Sequence, residues 1–357
     1  MKTNLRKVNL IVDLAKLLIT ILIALVCVTV LILLVSDEPS TAIRAFFLGP
    51  FSTPRRLSQV FQLATPIMFT GLAVTVMLRA GLFNMGAEGA LYFGGICATF
   101  VAIKFQLPPV LHTVVALLAG AVGGGLVGII PAILKAKFRI GELVVSIMMN
   151  YVMISISMFI LNYYLRDVSV SARISKSFEE YVKIPKLFGT AHYGFLIAVG
   201  VAILAWVLIN RTKIGYEIRI AGNNSAFASY SGIKTMKVII LSQAIGCAIA
   251  GLGGGAEVLG TYNAFSWDGA TGYGFDGMVV AIIARRNPLS AVLAALFIGY
   301  LRAGADIMNR TSDVALEVIQ VVQAIMIVLV AAESFLSNWR HKLTVKETSL
   351  ANGGIKA

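Results

Sequence analysis

The sequence predicts an all-α, polytopic membrane protein of about ten transmembrane segments, some broken or re-entrant, with both termini cytoplasmic. Three observations predict it. Hydrophobic residues make up 58% of the 357 and charged residues 13%, against about 25% charge in a soluble domain. Apolar runs succeed one another with brief interruptions, as in a single membrane domain rather than a water-facing one. The Lys and Arg behind the net charge of +13 stand between those runs and form no basic stripe interleaved with aromatics. The charge therefore reads as membrane orientation, with no nucleic acid as partner. Cys27, Cys97 and Cys247 lie inside apolar runs without CxxC spacing, which fits packing rather than a disulfide framework or a zinc site.

The first run, 14–35, follows Lys2, Arg6 and Lys7, carries Lys16 near its start, and resembles a secretory leader. Its 22 residues can cross the hydrocarbon core, whereas a leader's apolar region has about 7–15. It is expected to be a retained span. The others are expected at 57–78, 82–103, 111–134, 142–164, 194–210, 238–258, 274–288, 289–307 and 315–335. Glycines interrupt 82–103 and open 274–288, so broken or re-entrant backbone is expected there, where protein or a watery cavity must cover it. With the N-terminus inside, Arg79, Lys135, Lys137, Arg139, the stretch 211–237, Arg285, Arg286, Arg340, Lys342 and Lys346 all fall on the inner face, as the positive-inside rule requires. The expected organisation is one domain over 1–340, a cytoplasmic coupling segment at 211–237, and a cytoplasmic tail at 341–357.

Small residues mark helix contacts. Gly120, Gly124 and Gly128 form consecutive GxxxG steps, and Gly251 with Gly255 another, allowing backbones to approach closely. Between the sixth and seventh spans, Thr212 to Ile220 is polar and basic, Gly222 is expected to break the chain, and Asn223, Asn224 and Ser225 offer caps to a short helix over Ala226 to Tyr230. This is either a charged connector or a docking element with Phe227 and Tyr230 as anchors. No GxxxxGK[ST] phosphate loop is present, so energy for solute movement must come from a partner's ATP or from an ion gradient. Glu88, Glu142, Glu257 and Asp276 are the buried acids a gradient-driven carrier would use.

Four strings carry a family resemblance. Gly81-Leu-Phe-Asn-Met-Gly-Ala-Glu-Gly89, Glu142-Leu-Val-Val-Ser-Ile-Met-Met-Asn-Tyr151, the segment 211–233, and Gly274-Phe-Asp-Gly-Met-Val-Val-Ala-Ile-Ile-Ala-Arg-Arg-Asn-Pro288 occur in order over most of the chain. They resemble the ATP-binding-cassette permeases of the nucleoside-uptake branch, in the wider group that includes ribose and branched-chain amino-acid permeases. One departure is Ala284-Arg285-Arg286, where relatives often carry glycine; the added charge suits an inner face. The resemblance implies a heteromeric importer in a bacterial cell membrane. Its other parts would be a second permease, an ATP-binding-cassette ATPase that holds ATP and Mg, and an extracytoplasmic substrate-binding lipoprotein. It places Gly215, Arg219, Gly222, Asn223, Ala226, Phe227, Tyr230 and Gly232 in the ATPase-coupling region. Nucleosides are the implied solute, with simple sugars or riboflavin as the alternative within the class.

For the pathway the candidates are Phe83, Asn84, Glu88, Asn150, Tyr151 and Gln243. Asn84 and Glu88, four apart, share one face if 82–95 is helical and are costly in lipid, so they should point inward, with Phe83 able to stack on a base and Asn84 to hydrogen-bond it. They equally suit backbone groups freed by the glycine-broken helix. Asn150 and Tyr151 lie in a Met-rich span and serve either the pathway or interhelical hydrogen bonding. Glu142 suits the N-terminus of that span. Trp267, Tyr262 and Tyr273 are expected at headgroup level, with binding-protein contact as the alternative. Asp268 and Asp276 have no basic neighbour in sequence. No catalytic, cofactor or metal constellation is legible in the chain. An ion-coupled carrier and a non-transporting scaffold are the readings outside the class.

Overall fold

The computed structural model describes residues 36–313 continuously, and residues 26, 29, 30, 32, 33 and 321 besides. Apart from those few positions, the expected spans 14–35 and 315–335, the two termini and the tail lie outside the described residues. The elements are α1 (Pro39–Leu48), α2 (Pro54–Arg79), α3 (Ala87–Lys104), α4 (Pro109–Phe138) and α5 (Glu142–Ile160), the last extended by a π-helical turn at Leu161–Leu165. A small antiparallel hairpin, β1 (Lys186–Phe188) and β2 (Ala191–His192), pairs Lys186 with His192 and Phe188 with Ala191. Then come α6 (Gly194–Arg211), α7 (Lys213–Asn223), α8 (Ser225–Tyr230), α9 (Thr235–Thr261), α10 (Tyr273–Ile283) and α11 (Pro288–Thr311). Among the described residues, α2, α3, α4, α5 with its extra turn, α6, α9 and α11 are long and apolar enough to cross a membrane, and α10 is a shorter apolar helix.

Local chemistry places the ends. Thr53 accepts a hydrogen bond from Arg56 N at 3.2 Å, with Pro54 opening α2, and α4 and α11 likewise start on proline, where the missing N–H costs nothing. Thr212 caps α7 through Gly215 N at 3.1 Å, and Asn224 caps α8 through Phe227 N at 3.0 Å. Gly222 does not break the chain as expected: α7 runs through it to Asn223. Its missing side chain serves packing instead, since a Cβ there would collide with the Arg79 and Ala80 backbone.

The chain falls into two compact units, Leu48–Gly304 and the segments on either side of it. In the flanking unit, Ser36 Oγ and Asp37 N each donate to Asp313 at 2.6 Å. Those bonds hold the Asp313 carboxyl below its usual range. In the larger unit α2 is the most enclosed span, and α3, α4 and α9 meet at a glycine junction. A Cβ on Gly94 would strike Gly251; one on Gly251 would strike the Gly120 carbonyl; one on Gly124 would strike the Cys247 carbonyl. Such contact replaces side-chain interdigitation by dispersion between backbones, which is how small-residue stripes join helices in lipid.

The two glycine-rich segments are where helices stop. Residues 80–86 are non-helical before α3, and 262–272 run irregularly from the end of α9 to α10. With 11 residues, α10 spans about 16 Å, roughly half a hydrocarbon core. The irregular stretch is covered by protein: Trp267 and Tyr273 are 6% and 7% exposed, correcting their expected place at headgroup level. Trp267 packs against Tyr92 and Phe265, with ring centroids 5.3 Å apart in each case, and the Tyr92 hydroxyl donates to the Trp267 carbonyl at 2.7 Å. Asp276 has a basic partner after all, remote in sequence: Arg302 of α11.

Candidate functional site

The two helix interruptions meet. Glu88, in the first turn of α3 and 1% exposed, turns its carboxylate onto the start of α10. Oε1 accepts from Thr271 N at 2.6 Å, Thr271 Oγ1 at 2.9 Å and Gly272 N at 2.9 Å, while Oε2 accepts from Gly274 N at 2.5 Å. A helix start leaves orphan N–H groups and a partial positive charge, and a carboxylate satisfies both. Gly272 supplies the left-handed turn (φ +77°) that aims these N–H groups. Gly274 leaves room for Glu88, whose Cβ would lie 2.6 Å from an added side chain.

The start of α3 is held in the same way from α5. Asn150 Oδ1 accepts from Gly89 N at 2.8 Å and its Nδ2 donates to the Met85 carbonyl at 3.0 Å. Ser146 Oγ accepts from Met85 N at 3.1 Å. Glu142 Oε1 accepts from Phe83 N at 3.4 Å, and its Oε2 forms an ion pair with Lys135 at 2.6 Å. Glu142, Ser146 and Asn150 follow one another at four-residue spacing, one face of a helix. They stitch α5 to the broken segment 83–89. Asn84 is fully buried, accepting from Gly86 N at 2.6 Å and donating to Gln243 Oε1 at 2.7 Å; among the described residues Gln243 Nε2 has no hydrogen-bond partner.

The structure thus brings Asn84, Glu88, Asn150 and Gln243 into one buried scaffold whose polar groups are largely turned on each other. Phe83 and Tyr151 differ, being 44% and 67% exposed. Tyr151 belongs to an outward face of α5 that also carries Val144, Met148, Val152, Ser155, Phe159 and Tyr163. Ser146 and Lys135 were not anticipated. The signal for Ser146 was present as the polar four-residue repeat from Glu142; Lys135 lies on another helix and had none.

In the segment 211–233, Gly215 and Gly222 are packing positions, a Cβ on Gly215 colliding with the Leu208 and Ile209 carbonyls. Gly232 takes a left-handed turn (φ +80°) after α8. Asn223, Ala226, Phe227 and Tyr230 are exposed, Tyr230 at 93%, and Arg219 is partly so. Phe227 and Tyr230 thus form an exposed aromatic pair on a short capped helix.

Residues 56–331 match the family model described as branched-chain amino acid transport system / permease component. The chain is 35% identical over 323 residues to the guanosine ABC transporter permease protein NupP of Bacillus subtilis (strain 168), covering 88% of this chain and 92% of that one. It is 29% identical over 334 residues to the glucose ABC transporter permease protein TsgB13 of Haloferax volcanii, covering 90% and 88%. It is 27% identical over 328 residues to the nucleoside ABC transporter permease protein NupB of Lactococcus lactis subsp. cremoris, covering 88% and 90%.

Proposed function

Because the chain belongs to the branched-chain amino acid transport system / permease component family, and is a multi-pass permease component of an ATP-binding-cassette importer rather than an enzyme, we propose that its solute is a nucleoside. An extracytoplasmic binding protein delivers the nucleoside, and this chain with a second permease forms the pathway in a bacterial cytoplasmic membrane. ATP and Mg act on partner ATPase subunits that engage α7 and α8, with Phe227 and Tyr230 as anchors.

The single observation that carries the substrate class is the outward face of α5. Tyr151, Phe159 and Tyr163 offer π-faces, Met148 an adaptable surface and Ser155 a hydroxyl, all exposed on one helix. A planar base gains from stacking and a ribose from hydroxyl partners. Phe83 joins this lining from the broken segment. In this reading Asn84, Glu88, Asn150 and Gln243 lie beside the pathway and hold its wall in shape. The work of the cycle is then differential stabilisation of two conformations, with no covalent step on this chain.

A second reading, a simple sugar, is favoured by the likeness to a glucose permease. Ion coupling gains no support at Glu88, whose carboxylate is committed to four hydrogen bonds at the start of α10. Uptake into proteoliposomes holding the assembled importer tests all three. Labelled guanosine should accumulate only with internal ATP and binding protein; accumulation of glucose in its place, or accumulation driven by an ion gradient without ATP, would overturn the proposal.

A further inference from the structure

Three arginines from separate elements converge where α2 ends. Arg79 closes α2 and donates from Nε to the Arg286 carbonyl at 2.6 Å. Arg286 sits in the turn between α10 and α11, and Arg219 projects from α7, whose Gly222 lies directly on the Arg79 and Ala80 backbone. Arg219 and Arg286 are near enough for their charges to repel that of Arg79. None of the three has an ion pair among the described residues. The acids of the neighbouring elements are engaged elsewhere: Glu142 with Lys135, Asp276 with Arg302. Glu217 is two residues from Arg219 and so on another face of α7.

Helix ends answer part of this charge. The C-termini of α2, α7 and α10 all finish here, and each carries about half a negative charge. Together they offset about 1.5 of three positive charges, leaving about 1.5 uncompensated, more than the single charge of a phosphate diester and close to the about 1.5 to 2 of a monoester. Backbone strain points the same way. Arg285 and Arg286 both take positive φ, 51° and 60°, a region that side-chain-bearing residues avoid and that glycine would occupy freely. Two arginines in that turn carry a backbone cost, of the kind that clusters at ligand sites and switch regions.

We propose that Arg79, Arg219 and Arg286 form an oxyanion site at the inner face that takes a phosphate group, carried either by an inner-leaflet lipid headgroup or by a free phosphate compound. Guanidinium forks suit tetrahedral oxyanions, and one phosphate bridging the three would tie the coupling helix α7 to the inner ends of α2 and α10. The full chain, purified in detergent or placed in lipid nanodiscs, tests this by thermal unfolding. If the source is free phosphate, inorganic phosphate raises the unfolding temperature saturably over chloride at equal ionic strength. If it is lipid, phosphatidylglycerol discs raise it over phosphatidylcholine discs. In either case Arg219→Gln and Arg286→Gln each weaken the response about tenfold, Arg286→Lys weakens it less, and Arg139→Gln leaves it unchanged. The proposal fails if neither ligand stabilises beyond chloride and phosphatidylcholine, if the glutamine variants respond as wild type, or if only added ATPase subunit produces the gain.

Discussion

Helices α4 and α5 hide similarly small shares of their most apolar windows, 33% and 28%, yet their outward faces differ in kind. That of α4 is a stripe of Val110, Val114, Leu118, Val122, Leu126 and Ile130, aliphatic throughout at four-residue spacing. That of α5 mixes Tyr151, Tyr163, Phe159, Met148 and Ser155 among its aliphatics. A lipid chain asks nothing of a helix but apolar surface, so the α4 face is complete as it stands. Aromatic faces and a thioether also suit a planar solute, while the Ser155 hydroxyl is satisfied within α5, donating to the Tyr151 carbonyl at 2.8 Å. The difference teaches that two helices equally exposed can offer surfaces of different chemistry, and the proposed pathway rests on that of α5.

The largest effect is expected from the buried scaffold that joins α3 to the start of α10. Glu88→Ala deprives three backbone N–H groups and one hydroxyl of their acceptor, at about 1–3 kcal/mol for each buried group left unpaired. Loss of monodisperse protein in detergent is the expected outcome, and a wild-type elution profile would contradict the scaffold. Asn150→Ala removes two of the bonds joining α5 to the broken segment, for a smaller loss of about 2–4 kcal/mol, read as a lowered unfolding temperature with uptake falling in step with abundance. Tyr151→Ala tests the outward face itself. Nucleoside uptake per folded molecule should fall by about tenfold, stacking on an aromatic being worth about 1–3 kcal/mol, while Tyr151→Phe retains most of it. The smallest effect is expected at Leu118→Ala on α4, within about twofold of wild type in uptake and about 0.5 kcal/mol in stability. A large loss of transport there would make the two faces equivalent and end the comparison.

Much of the fold was legible because lipid permits few solutions. Apolar runs of sufficient length must be helices, and the glycine clusters pointed near two breaks, at 80–86 and 262–272, although α3 runs unbroken through Gly89, Gly94 and Gly95 and α10 through Gly274 and Gly277. The site was legible by residue type but not by role. Asn84, Glu88, Asn150 and Gln243 stood out as polar residues in apolar runs, and one chain of letters does not say whether such a group faces a solute or another helix's free N–H. Trp267 and Tyr273 misled for the same reason, since an aromatic beside a span end looks like a headgroup anchor until the chain after it turns inward. Arg302, the partner of Asp276, lies on another helix and left no trace in local spacing.

By itself the sequence determined that this protein is helical, membrane-embedded and built around two glycine-broken segments. Those outcomes follow from local rules: transfer of apolar side chains into lipid, the need to satisfy backbone hydrogen bonds, and the absence of a side chain on glycine. Only the tertiary structure decided that the breaks face each other, that Glu88 caps α10 across a gap of 183 residues to Thr271, and that α5 turns its polar stripe inward and its tyrosines outward. Those outcomes depend on which helix lies beside which. That is set by the glycine contacts of the whole bundle rather than by any residue's neighbours in the chain.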